Sequence, residues 1–228
     1  MNDVRELVSL ASQVLGHNGH DDFVWGHAAA RDPEGRGVWM KVSGLGFTEV
    51  EPESVILVGR DGDVLEGAGQ RHVEYPIHTE IMEARADVGA VVHSHPPHSI
   101  ALAAAGERLL PLSHGATLFV PPDVPRFDQT TNLITTTELG KAVAAALGSH
   151  SALFLVNHGI VTVGSDLPGA VVRAVLLERA CHQQYLTRGH GGWPTWTPSA
   201  EALAKRETVW TERHLRFAWD YMVRQLPP

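Results

Sequence analysis

The feature that most constrains the fold is a short apolar run that ends in histidines and prolines. Residues 89–92 are small or apolar, His93 and His95 follow two positions apart, and two prolines then stop the segment. Side chains at positions i and i+2 of a β-strand point to the same face, and proline cannot continue a hydrogen-bonded ladder. The run therefore predicts a strand over residues 89–94 whose end directs two imidazoles at one point.

Two imidazoles directed at one point are a good start on a metal site, because neutral histidine is the commonest nitrogen ligand of zinc-like ions. The alternative is a pair of strand-end histidines that bond to backbone or water. A catalytic metal site usually has three protein ligands and one open position. His158 is the natural third ligand, because it follows the buried apolar run 152–156 and precedes Gly159. Taken alone, His158 would be a histidine in a turn.

Length, charge and cysteine content narrow the class of protein. The 228 residues are 43% hydrophobic, which is enough for one sizeable core and predicts a single domain over residues 1–228. The net charge of −8 disfavours a nucleic-acid or anionic-membrane partner. The single cysteine, Cys181, excludes an internal disulfide and lies in an apolar helical pattern, so it is interpreted as a core residue. We expect a cytoplasmic protein, because the N-terminus is charged, no secretory signal follows it and no apolar run approaches 18 residues.

The pattern of apolar residues predicts strands and helices in a mixed order. Predicted strands cover residues 23–31, 38–42, 55–58, 64–65, 89–94, 109–112, 116–120, 152–156 and 160–163. Predicted helices cover residues 2–15, 76–85, 99–105, 137–147, 167–186 and a last helix from 198, with Asn2 or Asp3 capping the first. Residues 188–198 are predicted to be a loop rich in glycine and tryptophan. Aromatic residues on more than one face of the last helix fit either burial in a larger assembly or a well-covered core helix.

Three stretches in this order resemble the class II aldolase/adducin family, whose best-known members are L-fuculose-1-phosphate aldolase and L-ribulose-5-phosphate 4-epimerase. The first is Glu74-x-x-x-His78 before the segment 84–88, the second is the run 90–95, and the third is Asn157-His158-Gly159 followed by Gly164. The similarity runs from the first helix to about residue 186. The combination is specific, although each piece alone would be weak.

The resemblance implies a fold, a metal and an activity. It implies a three-layer α/β/α arrangement around a mainly antiparallel sheet, and a homotetramer whose sites lie between subunits. The histidines that match the family's metal ligands are His93, His95 and His158, which would hold a divalent ion, most often Zn²⁺, with Mn²⁺ or Fe²⁺ as alternatives. Glu74 matches the acidic residue that moves protons at the metal; burial in an apolar setting could raise its pKa for that role. From the residues alone, Glu74 could equally be a solvated acid at a helix N-terminus.

The sequence departs from the family where the aldolases bind phosphate. Their Gly-Asn pair is Gly26-His27 here, and their Ser-Gly pair is kept as Ser43-Gly44. Their paired serines before the glutamate are His72-Val73, and valine has no side-chain donor for a phosphate. We therefore expect a non-phosphorylated substrate whose carboxylate is bound by Arg71, His72 and His27.

The family's aldolases also use a tyrosine as proton donor to the leaving aldehyde, and none stands near the matching position, His114. His114 could serve as the acid, because its unperturbed pKa is about 6.5, or it could be a plain loop histidine. His98 either lines the site or packs on Pro97 at a helix start.

The sequence thus predicts a metal-dependent lyase, of the aldolase type, that makes or breaks a C–C bond next to a carbonyl in a small hydroxy-keto or keto acid. The first alternative is a decarboxylase or an iron oxygenase of the same family. The second is a non-enzymatic scaffold like the adducin head domains, which the retained histidines and Glu74 disfavour.

Overall fold

The computed structural model describes residues 3–192 and 195–227. Within these residues the strands form one eight-stranded sheet of order β4-β3-β2-β1-β5-β8-β7-β6. Neighbouring strands are antiparallel except β6 and β7, which are parallel. The strands are β1 (His27–Arg31), β2 (Gly37–Lys41), β3 (Val55–Gly59), β4 (Val64–Glu66), β5 (Ala90–Ser94), β6 (Arg126–Phe127), β7 (Ala152–Leu155) and β8 (Gly159–Gly164).

Helices cover both faces of this sheet. They are α1 (Val4–Leu15), α2 (Tyr75–Ala84), α3 (Pro97–Ala104), α4 (Thr137–Leu147), α5 (Leu167–Gly189), α6 (Ser199–Thr208) and α7 (Glu212–Arg224). One apolar cluster joins the sheet to α1, α3, α5 and α7, and a second joins the other face to α2 and α4. The three-layer α/β/α fold with a mainly antiparallel sheet is therefore confirmed.

Side chains cap several helices where the sequence predicts a start. Asp3 accepts a hydrogen bond from the Arg5 backbone at the start of α1, whereas the alternative cap, Asn2, lies outside the described residues. Thr136 caps α4 and Asp166 caps α5 in the same way. Cys181 on α5 is buried, as predicted, and burial raises the pKa of its thiol to about 12.

The first strand is shorter than the sequence predicts and begins at His27 rather than at residue 23. Gly26 has φ +76°, and the backbone N–H of Trp25 donates to the Asp22 carbonyl, so residues 22–26 form a turn. A side chain at Gly26 would also lie 2.9 Å from the Phe47 ring. The glycine therefore marks the entry to the strand.

The predicted strands over residues 109–112 and 116–120 are wrong. The first has no regular structure, and a 3₁₀ turn, Gly115–Leu118, occupies much of the second. Prolines at 111, 121 and 122 remove backbone donors that a ladder would need, and the apolar residues are buried against the helices instead. The short strand β6, which follows these prolines, was not predicted.

The predicted last helix is two helices, α6 and α7, because the chain turns after Thr208. In α7, Leu215, Trp219 and Met222 are buried, whereas Phe217 and Tyr221 are exposed. Part of the loop predicted over residues 188–198, at Trp193 and Pro194, lies outside the described residues. Among the helices described, none combines the length and the apolar character that a membrane crossing requires.

Candidate metal centre

The central strands place two of the candidate ligands. His93 is in β5, opposite His27 of β1 on one side and Val161 of β8 on the other. His95 lies one residue beyond the end of β5, where Pro96 and Pro97 turn the chain into α3. Both imidazoles consequently lie at the same end of the sheet.

A tight turn between β7 and β8 brings His158 beside them. Asn157 has φ +59°, a left-handed conformation that asparagine adopts more readily than most residues. A Cβ atom at Gly159 would lie 2.5 Å from the Ser94 carbonyl oxygen and 2.8 Å from the His95 ring. A glycine is therefore required for the turn to pack this closely against the end of β5.

Glu74 approaches the three histidines from the helix layer formed by α2 and α4, since it directly precedes the first residue of α2. Its Oε1 accepts a hydrogen bond of 2.7 Å from the Ile134 backbone N–H. Its Oε2 lies 3.6 Å from Nε2 of His93 and 3.6 Å from Nε2 of His158. The carboxylate is thus held by one oxygen while the other faces the imidazoles.

The four side chains form a compact donor set. One ligand atom from each of Glu74, His93, His95 and His158 can be chosen so that all lie within 4.8 Å of one another. Nε2 of His93 and Nε2 of His95 are 3.1 Å apart, and both ring nitrogens of His158 are buried without a hydrogen-bond partner among the described residues. Three imidazole nitrogens and one carboxylate oxygen are a usual zinc-type donor set, and a shared cation would satisfy these facing atoms.

Hydrogen bonds of the Nδ1 atoms determine which ring nitrogen His93 and His95 direct towards the candidate metal position. Nδ1 of His93 lies 2.9 Å from the Ile160 carbonyl oxygen, and Nδ1 of His95 lies 2.9 Å from Oδ2 of Asp22. Because a carbonyl and an ionised carboxylate only accept hydrogen bonds, both Nδ1 atoms carry a proton, and in a neutral ring each Nε2 would present its lone pair to an ion. No pattern in the sequence points to Asp22, which lies 73 positions from His95.

The electrostatics favour a neutral His95 and an ionised Glu74. Burial lowers the pKa of His95 to about 4, with His93 acting in the same direction and Asp22 opposing it. Burial alone raises the pKa of Glu74, but the interactions with His158 and His93 outweigh it and hold that pKa well below its usual range. Burial acts on the pKa of Glu74 in the expected direction, but the net shift is opposite to the one expected, so the carboxylate is the stable form.

A cavity of about 860 Å³ opens over these residues. Its walls combine acidic, imidazole and apolar groups: Asp21, Asp22, Trp25, Gly26, His27, Ser43, His72, Val73, Glu74, His95, Pro97, Ile100, Leu133, Asn157 and His158. The predicted substrate-binding residues Gly26, His27, Ser43 and His72 are thus brought to the cavity, whereas Gly44 follows Ser43 without being part of the lining. His93 is fully buried at its edge.

The residues predicted to bind a carboxylate already have partners inside the protein. Nδ1 of His27 lies 2.6 Å from Nε2 of His78. Nε2 of His72 lies 3.1 Å from Nζ of Lys41. Arg71 donates from Nε to the Gly62 carbonyl and its guanidinium stacks on Tyr75, so it does not line the cavity. Lysine and arginine are absent from the described lining residues.

Two further histidines lie apart from this cavity within one chain. His114 precedes the 3₁₀ turn, and its ring is 5.2 Å from that of Trp210. His98 bonds through Nδ1 to Glu178 at 2.6 Å and stacks on His182. His98 therefore lies at a helix start, as one interpretation expected, and its contacts there are with Glu178 and His182.

The chain is similar to several known proteins. The family model described as the class II aldolase and adducin N-terminal domain matches residues 5–185. The decarboxylase NovR of Streptomyces niveus is 37% identical over 213 residues, which cover 82% of this chain and 78% of the relative. A 4-hydroxy-3-prenylphenylpyruvate oxygenase/4-hydroxy-3-prenylbenzoate synthase of Streptomyces roseochromogenus subsp. oscitans is 37% identical over 176 residues, which cover 75% of this chain but only 62% of the relative.

A solved structure gives the same result for the fold. The L-fuculose 1-phosphate aldolase of Glaciozyma antarctica PI12 superposes with a TM-score of 0.86 at 26% identity, covering 98% of this chain and 88% of that one. With the family model spanning most of the sequence and the fold shared, the chain belongs to the class II aldolase and adducin N-terminal domain family.

Proposed function

We propose that this protein is a metal-dependent lyase that breaks a C–C bond next to a carbonyl in a non-phosphorylated acid, and that carbon dioxide is the product released. The observation that carries the proposal is the set of Glu74, His93, His95 and His158 beside a cavity large enough for a small-molecule substrate. His93, His95 and His158 would hold the ion, with Zn²⁺ as the first choice and Mn²⁺ or Fe²⁺ as alternatives. Such an ion acts as a Lewis acid on substrate oxygens.

Glu74 is the proposed proton carrier. Its ionised Oε2 faces the position where substrate oxygens would bind, and its Oε1 is held by Ile134. As a carboxylate it can accept the proton of a substrate hydroxyl. When the bond to the carboxyl group breaks, carbon dioxide leaves and the electron pair of that bond stays on the substrate carbon that carried the group. Glu74 then delivers the proton to this substrate carbon.

The cavity walls support an acid with an apolar or aromatic body. Trp25, Ile100 and Leu133 line the cavity, and the indole of Trp25 is 54% exposed. With no cationic side chain among the described lining residues, the anionic end of the substrate would depend on the ion. The names of the two relatives, a decarboxylase and an enzyme of prenylated hydroxyphenyl acids, point to the same chemical class.

An aldol cleavage is the second candidate, and the superposition on an L-fuculose 1-phosphate aldolase favours it. That reaction needs an acid for the leaving aldehyde. His114 remains the proposed replacement for the family's tyrosine, but within one chain it packs beside Trp210 outside the cavity. The role of His114 therefore requires the homotetramer that the family predicts, with a neighbouring subunit supplying the imidazole.

The experiment begins with metal analysis of the purified protein. The loaded protein is then assayed with hydroxy and keto acids, aromatic and aliphatic, for carbon dioxide, aldehyde and oxygen uptake. We expect carbon dioxide without aldehyde; an aldehyde product would favour the aldolase, and oxygen uptake with bound iron would favour the oxygenase named among the relatives. A protein that binds no divalent ion and gains no thermal stability from one would instead support the scaffold.

Two substitutions separate the proposed roles. His95→Ala should lose most of the bound metal, whereas Glu74→Gln should keep metal and lose turnover by about a hundredfold or more. Glu83→Gln, on the exposed side of the same helix, is the matched control and should change neither. Full turnover in metal-loaded Glu74→Gln would contradict the proton role.

A further inference from the structure

Lys41 is a buried lysine whose charge has no salt bridge among the described residues. It is the last residue of β2, and its side chain is fully buried. Its Nζ lies 3.1 Å from the Val24 carbonyl oxygen, 2.6 Å from the Leu45 carbonyl oxygen and 3.1 Å from Nε2 of His72. An ammonium group has three protons, so these three acceptors use its whole donor capacity.

The three acceptors lie in three different chain segments, each of which contributes lining residues to the cavity. Val24 is in the turn that carries Asp22, the partner of His95. Leu45 follows the lining residue Ser43, and His72 lines the cavity two positions before Glu74. One ammonium group therefore connects the three backbone segments that carry Asp22, Ser43 and Glu74.

The contact also fixes the state of His72. A charged lysine can only donate, so Nε2 of His72 is the acceptor and its proton lies on Nδ1. The lone pair of Nε2 is then engaged by Lys41 and is not available to a hydrogen-bond donor of the substrate.

We propose that Lys41 is a positioning residue: it holds the three cavity walls in the arrangement that substrate binding needs, without touching the substrate. The ammonium form persists at neutral pH, because burial lowers the pKa of Lys41 only to about 8, with Asp21 and Glu49 opposing the decrease. The expected effect on substrate binding rests on the proposed function, whereas the expected protonation of His72 at Nδ1 does not.

The first test separates positioning from direct binding of an anion. Three proteins are compared: wild type, Lys41→Met and Lys141→Met, the last as a control at an exposed lysine. Each is loaded with Co²⁺, and changes in its visible spectrum measure the binding of the anionic phenylpyruvate and of the neutral 2-hydroxyacetophenone. A positioning role predicts that Lys41→Met weakens both ligands alike, by about tenfold to a hundredfold, while Lys141→Met changes neither. Weakening of the anionic ligand alone would mean that Lys41 binds the substrate carboxylate, and would overturn the proposal. Unchanged binding of both ligands would overturn it as well.

The second test needs neither metal nor turnover and requires only the wild-type fold. Two-bond ¹H–¹⁵N spectra of the imidazoles, with His72 assigned through His72→Phe, report which nitrogen carries the proton. We expect His72 to be protonated at Nδ1 and unprotonated at Nε2. A proton on Nε2 would exclude the contact from Lys41 and the proposal with it. If no metal binds but this tautomer is found, the proposed function fails while the arrangement around Lys41 stands.

Discussion

The carboxylate of Asp22 offers the sharpest test of the metal centre, because only one bond connects it to a ligand. Its Oδ2 accepts from Nδ1 of His95 at 2.9 Å, which orients the ring and leaves Nε2 free for an ion. Partners of this kind typically contribute tenfold to a hundredfold in metal affinity. The Asp22 side chain is 32% exposed, so solvent screens part of its charge, and the amide oxygen of an asparagine could still accept the bond. We therefore expect Asp22→Asn to weaken Zn²⁺ binding by about tenfold, or about 1.4 kcal/mol.

Competition with a chromophoric chelator near neutral pH measures this loss directly. Asp21→Asn is the matched control: it removes the same charge from the same turn, but Asp21 accepts from the Phe47 backbone at 3.2 Å and does not contact His95. Equal losses in the two variants would show a long-range charge effect rather than orientation of the ring. An unchanged affinity in Asp22→Asn would refute the assigned role of the carboxylate.

Two further predictions concern the scaffold of the site and the stability of the fold. Gly159→Ala places a methyl group against the Ser94 carbonyl, so we expect a loss of about 1–3 kcal/mol in urea unfolding and a weaker metal site; an unchanged midpoint would contradict the close packing. The Arg36 guanidinium lowers the pKa of the buried Asp32 carboxyl from 3.8 to about 2, helped by the Trp39 indole, so this carboxylate stabilises the fold above about pH 4 and loses that effect as the pH falls towards 2. Asp32→Asn should accordingly cost about 2 kcal/mol at neutral pH, and its unfolding free energy should approach that of wild type near pH 2. A deficit that stays constant with pH would contradict this account.

Much of the candidate site is predictable from the sequence because its signals are local. The period of a strand places His93 and His95 together, the prolines after them end the strand, and a histidine before Gly159 marks a turn after a buried run. That the turn lies against the end of β5 follows from the pairing of β5 with β8, which the residues alone do not specify. Here the resemblance to a family supplied the missing contact.

What the sequence did not reveal depends on contacts between distant segments. Asp22 and Lys41 carry no local pattern that links them to His95 or to the cavity. The apolar residues between 109 and 120 suggested strands, since burial under helices and burial in a sheet select the same residue types. The lowered pKa of Glu74 likewise comes from imidazoles contributed by β5 and by the turn after β7.

A bound ion would stabilise the fold as well as serve the reaction, because its three proposed ligands come from separate parts of the chain. His93 and His95 lie at a strand end and His158 at a hairpin tip, so only the folded chain brings all three to one ion. Metal binding would then raise the free energy of unfolding, by about 2.7 kcal/mol when the free metal concentration is one hundred times the dissociation constant. Where that metal is scarce, the folded protein would lose this contribution and depend on the interactions of the chain itself, the two apolar clusters above all.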